Sequence, residues 1–125
     1  MKLNQDCVRD ALLAIEDIGT INNRLSLSDL LNTDFCKKYD INNLGYTVSK
    51  LLEAGFINAS TINSLGGKGF IIRSITWDGH QFLDNIRDKD IWDKTKSIIS
   101  KVSSVSLPIL SDVAKNVLLQ KLGLD

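Results

Sequence analysis

The first clear pattern along the chain is an apolar stripe at helical spacing. Hydrophobic residues recur every three or four positions from Val8 to Ile18, which predicts an amphipathic helix. Asn4 is a suitable N-cap for this helix, and Asp6 places negative charge in its first turn, where the helix dipole favours it. Gly19 predicts the end of the helix, because glycine adopts the left-handed conformation that closes many helices.

A short strand-like piece and a brief second helix are predicted next. The strand-like piece over residues 24–27 is short enough to be a single β-bridge. Ser28 is a suitable N-cap for a helix over residues 29–32. The pattern over residues 33–39 fits either a loop or an extension of that second helix, and the sequence leaves both alternatives open.

The third predicted helix leads directly into a β-hairpin. Asp40 is a suitable N-cap, helical spacing continues to Ala54, and Gly55 supplies the stop. Two β-rich runs over residues 56–62 and 70–75 come next. The connector between them contains three glycines, which predicts a flexible hairpin tip.

Only helices are predicted after the hairpin. Thr76 is a suitable N-cap for a fourth helix, and a fifth, nearly continuous with it, is predicted over residues 91–102. Residues 100–106 are rich in serine and predict a hinge, and Pro108 fits the first turn of a last helix. The apolar residues of that last helix cover more than one stripe, so it either folds back on the domain or pairs with a second copy.

The order of these elements predicts the fold class. Three helices followed by a hairpin, with the third helix running straight into the first strand, are typical of a winged helix-turn-helix. We therefore predict an α+β, mostly helical fold, with a winged-helix domain over residues 1–90 and appended C-terminal helices over residues 91–125. Another small α+β domain is the alternative. We also predict a homodimer, formed through the apolar residues Leu110, Val113, Val117, Leu118 and Leu122.

Composition and charge are those of an ordinary globular protein and restrict its partners. Of the 125 residues, 43% are hydrophobic and 24% charged, which suffices to bury a core without a metal or a disulfide. Fifteen basic residues balance fifteen acidic ones, so attraction to nucleic acid has to come from a local patch. No stretch is apolar enough for a signal peptide or a membrane span, which predicts a cytoplasmic protein. Cys7 and Cys36 lie in no C-x-x-C motif, so we expect reduced thiols.

Three stretches of the chain carry a resemblance to a known family. They are MKLNQDCVRDALLAIED at residues 1–17, LLEAGFINA at 51–59 and ITWDGHQFLDNIRDKDIWDKTK at 75–96. Together they resemble a family of small bacterial, phage and prophage proteins that is catalogued as a domain of unknown function. The chain also looks like bacterial winged-helix proteins in which a threonine and a glycine open the helix after the wing, here Thr76 and Gly79. The resemblance implies a winged-helix fold and a phage or mobile-element setting, and it implies no activity.

The outward side of the third helix is the first candidate site. Helical geometry places polar side chains opposite its apolar stripe. Asparagine bonds bidentately to adenine, lysine reaches guanine or phosphate, and tyrosine and serine contact phosphate. The alternative is an ordinary exposed helix side, where polar residues are expected, and Glu53 would repel phosphates. The predicted DNA-contacting residues of this helix are Asn42, Asn43, Tyr46, Ser49 and Lys50.

Basic residues near the hairpin and before the third helix are the second candidate. Lys68, among the glycines, is predicted to follow the DNA backbone into the minor groove, with support from Arg73. Lys37 and Lys38 are predicted to add phosphate contacts, which make affinity fall steeply with salt. The segment before Thr76 has eight basic and eight acidic residues, so any patch depends on their arrangement.

No catalytic, metal-binding or cofactor-binding site is predicted. His80 is the only histidine and has no neighbouring cysteine or second histidine for a metal, so we expect it to pack beside Trp77. Trp77 and Trp92 each stand next to a helix start and are expected to anchor the core or an interface. The sequence therefore predicts a DNA-binding accessory regulator rather than an enzyme. The alternative is a winged helix that binds a protein and no nucleic acid.

Overall fold

Helices and one two-stranded antiparallel sheet follow one another along the chain. The computed structural model describes residues 1–65 and 67–124, without the side chains of Ser64 and Lys68. The predicted α+β, mostly helical class is confirmed. The chain divides into unit 1, Met1–His80, and unit 2, Gln81–Asp125. The elements are α1 (Gln5–Ile18), α2 (Leu27–Leu31), α3 (Ile41–Glu53), β1 (Ile57–Ser64), β2 (Gly67–Ile75), α4 (Trp77–Ile86), α5 (Lys89–Ile99) and α6 (Leu107–Lys121).

Helix α1 begins and ends where the sequence predicts, but the conformation of its C-cap residue, Gly19, differs from the prediction. The side chain of Asn4 accepts a hydrogen bond from the backbone N–H of Cys7 at 3.1 Å, which confirms the N-cap. Gly19 has extended backbone angles, φ −74° and ψ 142°, so the predicted left-handed ending is wrong. Its N–H donates to the carbonyl of Ile15 at 2.8 Å, and a Cβ at this position would lie 2.4 Å from that oxygen. Glycine is therefore required here because a side chain would clash with the Ile15 carbonyl, and not because of its backbone angles.

Helix α2 begins two residues earlier than predicted, because Ser26 caps it rather than Ser28. The Ser26 hydroxyl accepts from the N–H of Asp29 at 3.1 Å, and the Asp29 carboxylate accepts from the N–H of Ser26 at 2.8 Å. This reciprocal capping box satisfies two N–H groups at once. Just before it, Leu25 forms an isolated antiparallel bridge with Ile72 of β2, which confirms the predicted single bridge.

A buried carboxylate fixes the turn that precedes α3. Asp10 of α1 is only 7% exposed, and its Oδ2 accepts the Tyr39 hydroxyl at 2.6 Å and lies 3.0 Å from the Lys38 ammonium. Burial, reinforced by this carboxylate, raises the pKa of Tyr39, which therefore stays a neutral donor. The N–H of Lys37 donates to the carbonyl of Thr33 at 3.0 Å. Residues 33–39 are thus a turn segment tied to α1, and the helical alternative is wrong.

The end of α3 turns the chain directly into the hairpin. Asp40 caps its start by accepting from the N–H of Asn43 at 2.7 Å. At its end Gly55 has φ +77°, and the N–H of Phe56 returns to the carbonyl of Leu51 at 2.9 Å. These features are those of a Schellman motif, in which a left-handed glycine closes the last turn. The predicted stop is confirmed, and β1 begins at Ile57 because Phe56 belongs to the cap.

The hairpin strands are longer than predicted. Asn63 pairs with Lys68 and Ser64 with Gly67, so only Leu65 and Gly66 separate β1 from β2. The predicted seven-residue connector is therefore wrong, and Gly66 itself lies outside the described residues. Strand pairing uses backbone N–H and C=O groups that glycine also carries. The glycines after the turn are therefore strand residues, which their loop propensity did not predict.

The start of α4 is sealed against the α3–β1 turn by Thr76 and Gly79. The Thr76 hydroxyl donates to the carbonyl of Gly55 at 2.6 Å and accepts from the N–H of Gly79 at 3.0 Å. The N–H of Thr76 also donates to the carbonyl of Phe56 at 3.0 Å. Thr76 is therefore both the predicted N-cap and a bridge to the end of α3.

Unit 2 consists of helices with their own caps. Asp88 accepts from the N–H of Ile91 at 3.1 Å, and this bond lowers the pKa of the Asp88 carboxyl. Only residues 87 and 88 separate α4 from α5, so the two helices are nearly continuous along the chain, as predicted, although α5 has a capped start of its own. Pro108 lies in the first turn of α6, as predicted. Trp92 is buried, which confirms its core role, whereas Trp77 at the start of α4 is 78% exposed and is no core residue.

Candidate nucleic-acid interface

Helix α3 keeps one side open within unit 1. Its buried side consists of Leu44, Thr47, Val48 and Leu51. On the other side Asn42 is exposed, and Tyr46 is only half-buried. The amphipathic division predicted from the sequence is therefore observed, except that the polar residue Thr47 is buried and the apolar residue Leu52 is half-exposed.

Two side chains on the open side of α3 are available for new hydrogen bonds. Among the described residues, neither the Asn42 amide nor the Tyr46 hydroxyl has a hydrogen-bond partner. Their neighbours are engaged: the Asn43 amide donates to Asp40 at 3.2 Å, and the Ser49 hydroxyl donates to the Tyr46 carbonyl at 2.6 Å. The side chains of Asn43 and Ser49 thus form hydrogen bonds within α3 and its N-cap. Asn42 and Tyr46 are the donors that α3 presents outward.

Lys50 is the cation on this open side, and its ammonium is paired with a carboxylate of the same helix. Its ammonium lies 2.7 Å from the carboxylate of Glu53 and 5.4 Å from the centre of the Tyr46 ring. The hydrogen bond to Glu53 raises the pKa of Lys50, which therefore remains charged at neutral pH. Exposed pairs of this kind are weak and exchange readily for another anion.

The other predicted basic contacts differ in how firmly they are paired. Lys37 lies 3.1 Å from the exposed carboxylate of Asp34, an arrangement that a phosphate can replace. Lys38 lies 3.0 Å from the buried carboxylate of Asp10, and its departure would leave that buried charge with less compensation. Of these two predicted phosphate contacts, Lys37 is therefore the more available.

The hairpin residues predicted to contact DNA are not all brought to α3. Arg73 donates to the Ser60 hydroxyl at 2.8 Å across the hairpin. Arg73 lines a different cleft, of about 410 Å³, together with His80 and the C-terminal end of α1. His80 is exposed there. The Lys68 side chain lies outside the described residues, so its predicted contact stays a prediction.

A cleft separates the open side of α3 from the second hairpin strand. We call this space, of about 630 Å³, the α3–β2 cleft. Sequence reasoning missed Gly45, which lines this cleft and belongs to the same outward set as Asn42 and Ser49 at helical spacing. The side chains of the described residues that line the α3–β2 cleft carry no charge: Met1, Leu27, Ile41, Asn42, Gly45, Tyr46, Ser49, Gly67 and Phe70.

Apolar residues adjoin this cleft. A smaller cleft of about 360 Å³ shares Leu27, Ile41 and Phe70 with it and is also lined by Ile62. Ile41, in the first turn of α3, is 55% exposed. The surface around the open side of α3 is therefore both polar and apolar.

The residues predicted for a dimer interface are largely used inside unit 2. Leu110 and Val117 are buried, and Val113 and Leu118 are half-buried. Leu122 is 61% exposed. Packing within unit 2 thus accounts for much of the apolar excess of α6, and the homodimer stays a prediction.

Other chemistry finds little support among the described residues. Cys7 and Cys36 are free and buried, and burial raises the pKa of the Cys36 thiol to about 11. At neutral pH that thiol is therefore protonated and a poor nucleophile. No group of three or more metal-ligating side chains forms in the described part of the chain. None of its helices has the length and apolar character needed to cross a membrane.

Comparison with known proteins gives a family and no activity. A family profile described as "Hypothetical protein (DUF2513)" matches residues 2–106. A Haemophilus influenzae protein described as "Uncharacterized protein" is 32% identical over 124 residues, which make up 98% of this chain and 100% of that protein. No solved structure gives a significant match. Because the profile covers most of the chain and the relative nearly all of it, the chain belongs to the family described as "Hypothetical protein (DUF2513)".

Proposed function

We propose that this chain is a cytoplasmic winged helix-turn-helix protein that binds duplex DNA, as an accessory regulator in a phage or prophage setting. The observation that carries the proposal is the open side of α3, where the Asn42 amide and the Tyr46 hydroxyl have no hydrogen-bond partner among the described residues. Such groups hydrogen-bond to base edges and phosphates in protein–DNA complexes.

The arrangement of elements in unit 1 supports the winged-helix part of the proposal. Helices α2 and α3 are joined by the turn segment at residues 33–39, and α3 leads into the β1–β2 hairpin. The bridge between Leu25 and Ile72 adds a third, minimal strand to that hairpin. A helix-turn-helix followed by a hairpin places its second helix in the major groove.

The charge distribution sets the expected strength of binding. The chain carries no net charge, so general attraction to DNA is weak. Phosphate contacts have to come from lysines that exchange a carboxylate for a phosphate, first Lys50 and Lys37. Binding is therefore expected to be strongly dependent on salt.

The first test is a titration of the protein with a fluorescent mixed-sequence duplex. We expect binding at about 50 mM salt and a steep loss of affinity by about 200 mM. Light scattering on the same samples reports whether two copies bind together, as expected for two α3 helices on two half-sites. Absence of binding to duplex and to heparin at about 50 mM salt would contradict the proposal.

A second candidate function is a protein-interaction module without nucleic-acid binding. The observation that favours it is the exposure of Ile41 and Ile62, which line one cleft beside the open side of α3. Exposed apolar residues that adjoin one another are characteristic of protein contact sites. This function becomes the better one if the titration shows no DNA binding.

A further inference from the structure

Gly45 is an unusual residue for the middle of a helix. It is the fifth residue of α3, which runs from Ile41 to Glu53. Glycine inside a helix is destabilising relative to alanine, because it loses more backbone freedom on folding. A glycine at this position therefore calls for a reason in packing or in binding.

Packing within the chain does not supply that reason. A Cβ added at Gly45 would meet only the Cδ1 atom of Leu27, at 3.4 Å. That atom is the end of a flexible side chain, and the separation is an ordinary contact. By contrast, a Cβ at Gly79 would lie 2.1 Å from the backbone oxygen of Phe56. The fold requires glycine at position 79 and tolerates alanine at position 45.

The surroundings of Gly45 indicate what kind of ligand fits the space beside it in the α3–β2 cleft. Gly45 lines the α3–β2 cleft between Asn42, one turn before it, and Ser49, one turn after it, with Gly67 of β2 also in the lining. The Asn42 amide and the adjacent Tyr46 hydroxyl are donors without a partner among the described residues. The described residues that line the cleft include no carboxylate, so none of these side chains repels a phosphate.

We propose that Gly45 is a DNA-contacting residue whose missing side chain lets one sugar-phosphate strand lie directly against α3 in the α3–β2 cleft. The proposal rests on the proposed function and deepens it. The Asn42 amide and the Tyr46 hydroxyl donate to phosphate oxygens of that strand. The apolar lining from Leu27 and Ile41 contacts the sugars. Neutral donors and a close approach thus contribute to binding alongside the lysines.

The test is the variant Gly45→Ala, which is expected to change stability and binding in opposite directions. Its melting temperature should rise by about 3–5 °C, because alanine favours the helix. Its affinity for the duplex should fall at least about tenfold, because the methyl group occupies the space of the strand. The slope of log affinity against log salt should stay unchanged, since no cation is removed. A folding defect cannot produce this combination.

A matched control is Asn116→Ala on α6, at an exposed position far along the sequence. It should also raise the melting temperature, because alanine is the better helix former, and it should leave DNA affinity unchanged. If Gly45→Ala binds the duplex as tightly as the wild type, the inference is overturned while the proposed function stands. A lower melting temperature for Gly45→Ala would also overturn it, since the fold would then require glycine. If the wild type binds no duplex, the proposed function fails first and the inference with it.

Discussion

Replacing Gly79 with alanine is expected to destabilise unit 1 by about 3 kcal/mol or more. The added methyl group would lie 2.1 Å from the carbonyl oxygen and 2.9 Å from the carbonyl carbon of Phe56, and 2.7 Å from Ile75 Cγ2. Two of these three atoms belong to the backbone that closes α3 and opens β1, so they cannot move without disturbing the Schellman turn. Urea unfolding followed by circular dichroism measures the loss.

Two comparisons make this prediction specific. Gly45→Ala is the same substitution inside a helix, where a Cβ meets only a side-chain methyl at 3.4 Å, and it should be stabilising. Thr76→Ala removes the hydroxyl that joins the α4 start to the Gly55 carbonyl and should cost about 1–2 kcal/mol. Thr76→Ser should recover much of that loss. An unfolding free energy for Gly79→Ala within about 0.5 kcal/mol of the wild type would mean that α4 does not start against Phe56.

Reversing the charge at Lys50 is expected to weaken duplex binding at least about tenfold at about 100 mM salt. The substitution Lys50→Glu removes the cation on the open side of α3 and puts a second carboxylate beside Glu53. The slope of log affinity against log salt should fall by about 0.9 for the lost phosphate contact. Fold stability should change little, because exposed ion pairs contribute little. Fluorescence anisotropy at several salt concentrations measures both quantities.

The control for Lys50→Glu has to change net charge equally at another place. Lys115→Glu on α6 does so at an exposed position. We expect it to reduce affinity only slightly, through the weaker general attraction. Equal losses of DNA affinity in the two variants would show that binding depends on the total charge of the protein and not on the α3 surface. An unchanged affinity for Lys50→Glu would remove Lys50 from the interface.

Local signals in the sequence were sufficient for most element positions. Asn4, Asp40 and Thr76 cap their helices as expected, and Gly55 ends α3 with a positive φ. Each of these outcomes depends on a few neighbouring residues, which is why the sequence alone predicts it. The choice between Ser26 and Ser28 needed one more fact, the reciprocal bond that Asp29 makes only with Ser26.

Long-range contacts explain what the sequence did not predict. The turn before α3 depends on Asp10, which is 29 residues away from its partner Tyr39. The glycines of β2 pair as strand residues because β1 lies opposite them. Trp77 is exposed although its place next to a helix start favoured anchoring in the core or an interface, and the close contact at the start of α4 is made by Gly79 instead. None of these partners is evident from spacing along the chain.

The candidate site was predicted in outline and not in its details. Helical periodicity placed Asn42 and Tyr46 on the open side of α3, where the structure has them. Periodicity did not show that the side chains of Asn43 and Ser49 form hydrogen bonds within α3 and its N-cap. It also did not show that Arg73 lines another cleft. Gly45 escaped notice because a residue without a side chain gives no chemical signal. Its significance appears only when the space around it is measured.

The most direct test of DNA binding by the open side of α3 is a two-dimensional NMR titration of the full chain with a short duplex. Signals of α3 and the β1–β2 hairpin are expected to shift, with the largest changes at the Asn42 side-chain amide and the Gly45 backbone N–H. Signals of α5 and α6 should change little, apart from effects of self-association. Shifts confined to α5 and α6, or no shifts at about 50 mM salt, would contradict the claim that the open side of α3 binds DNA.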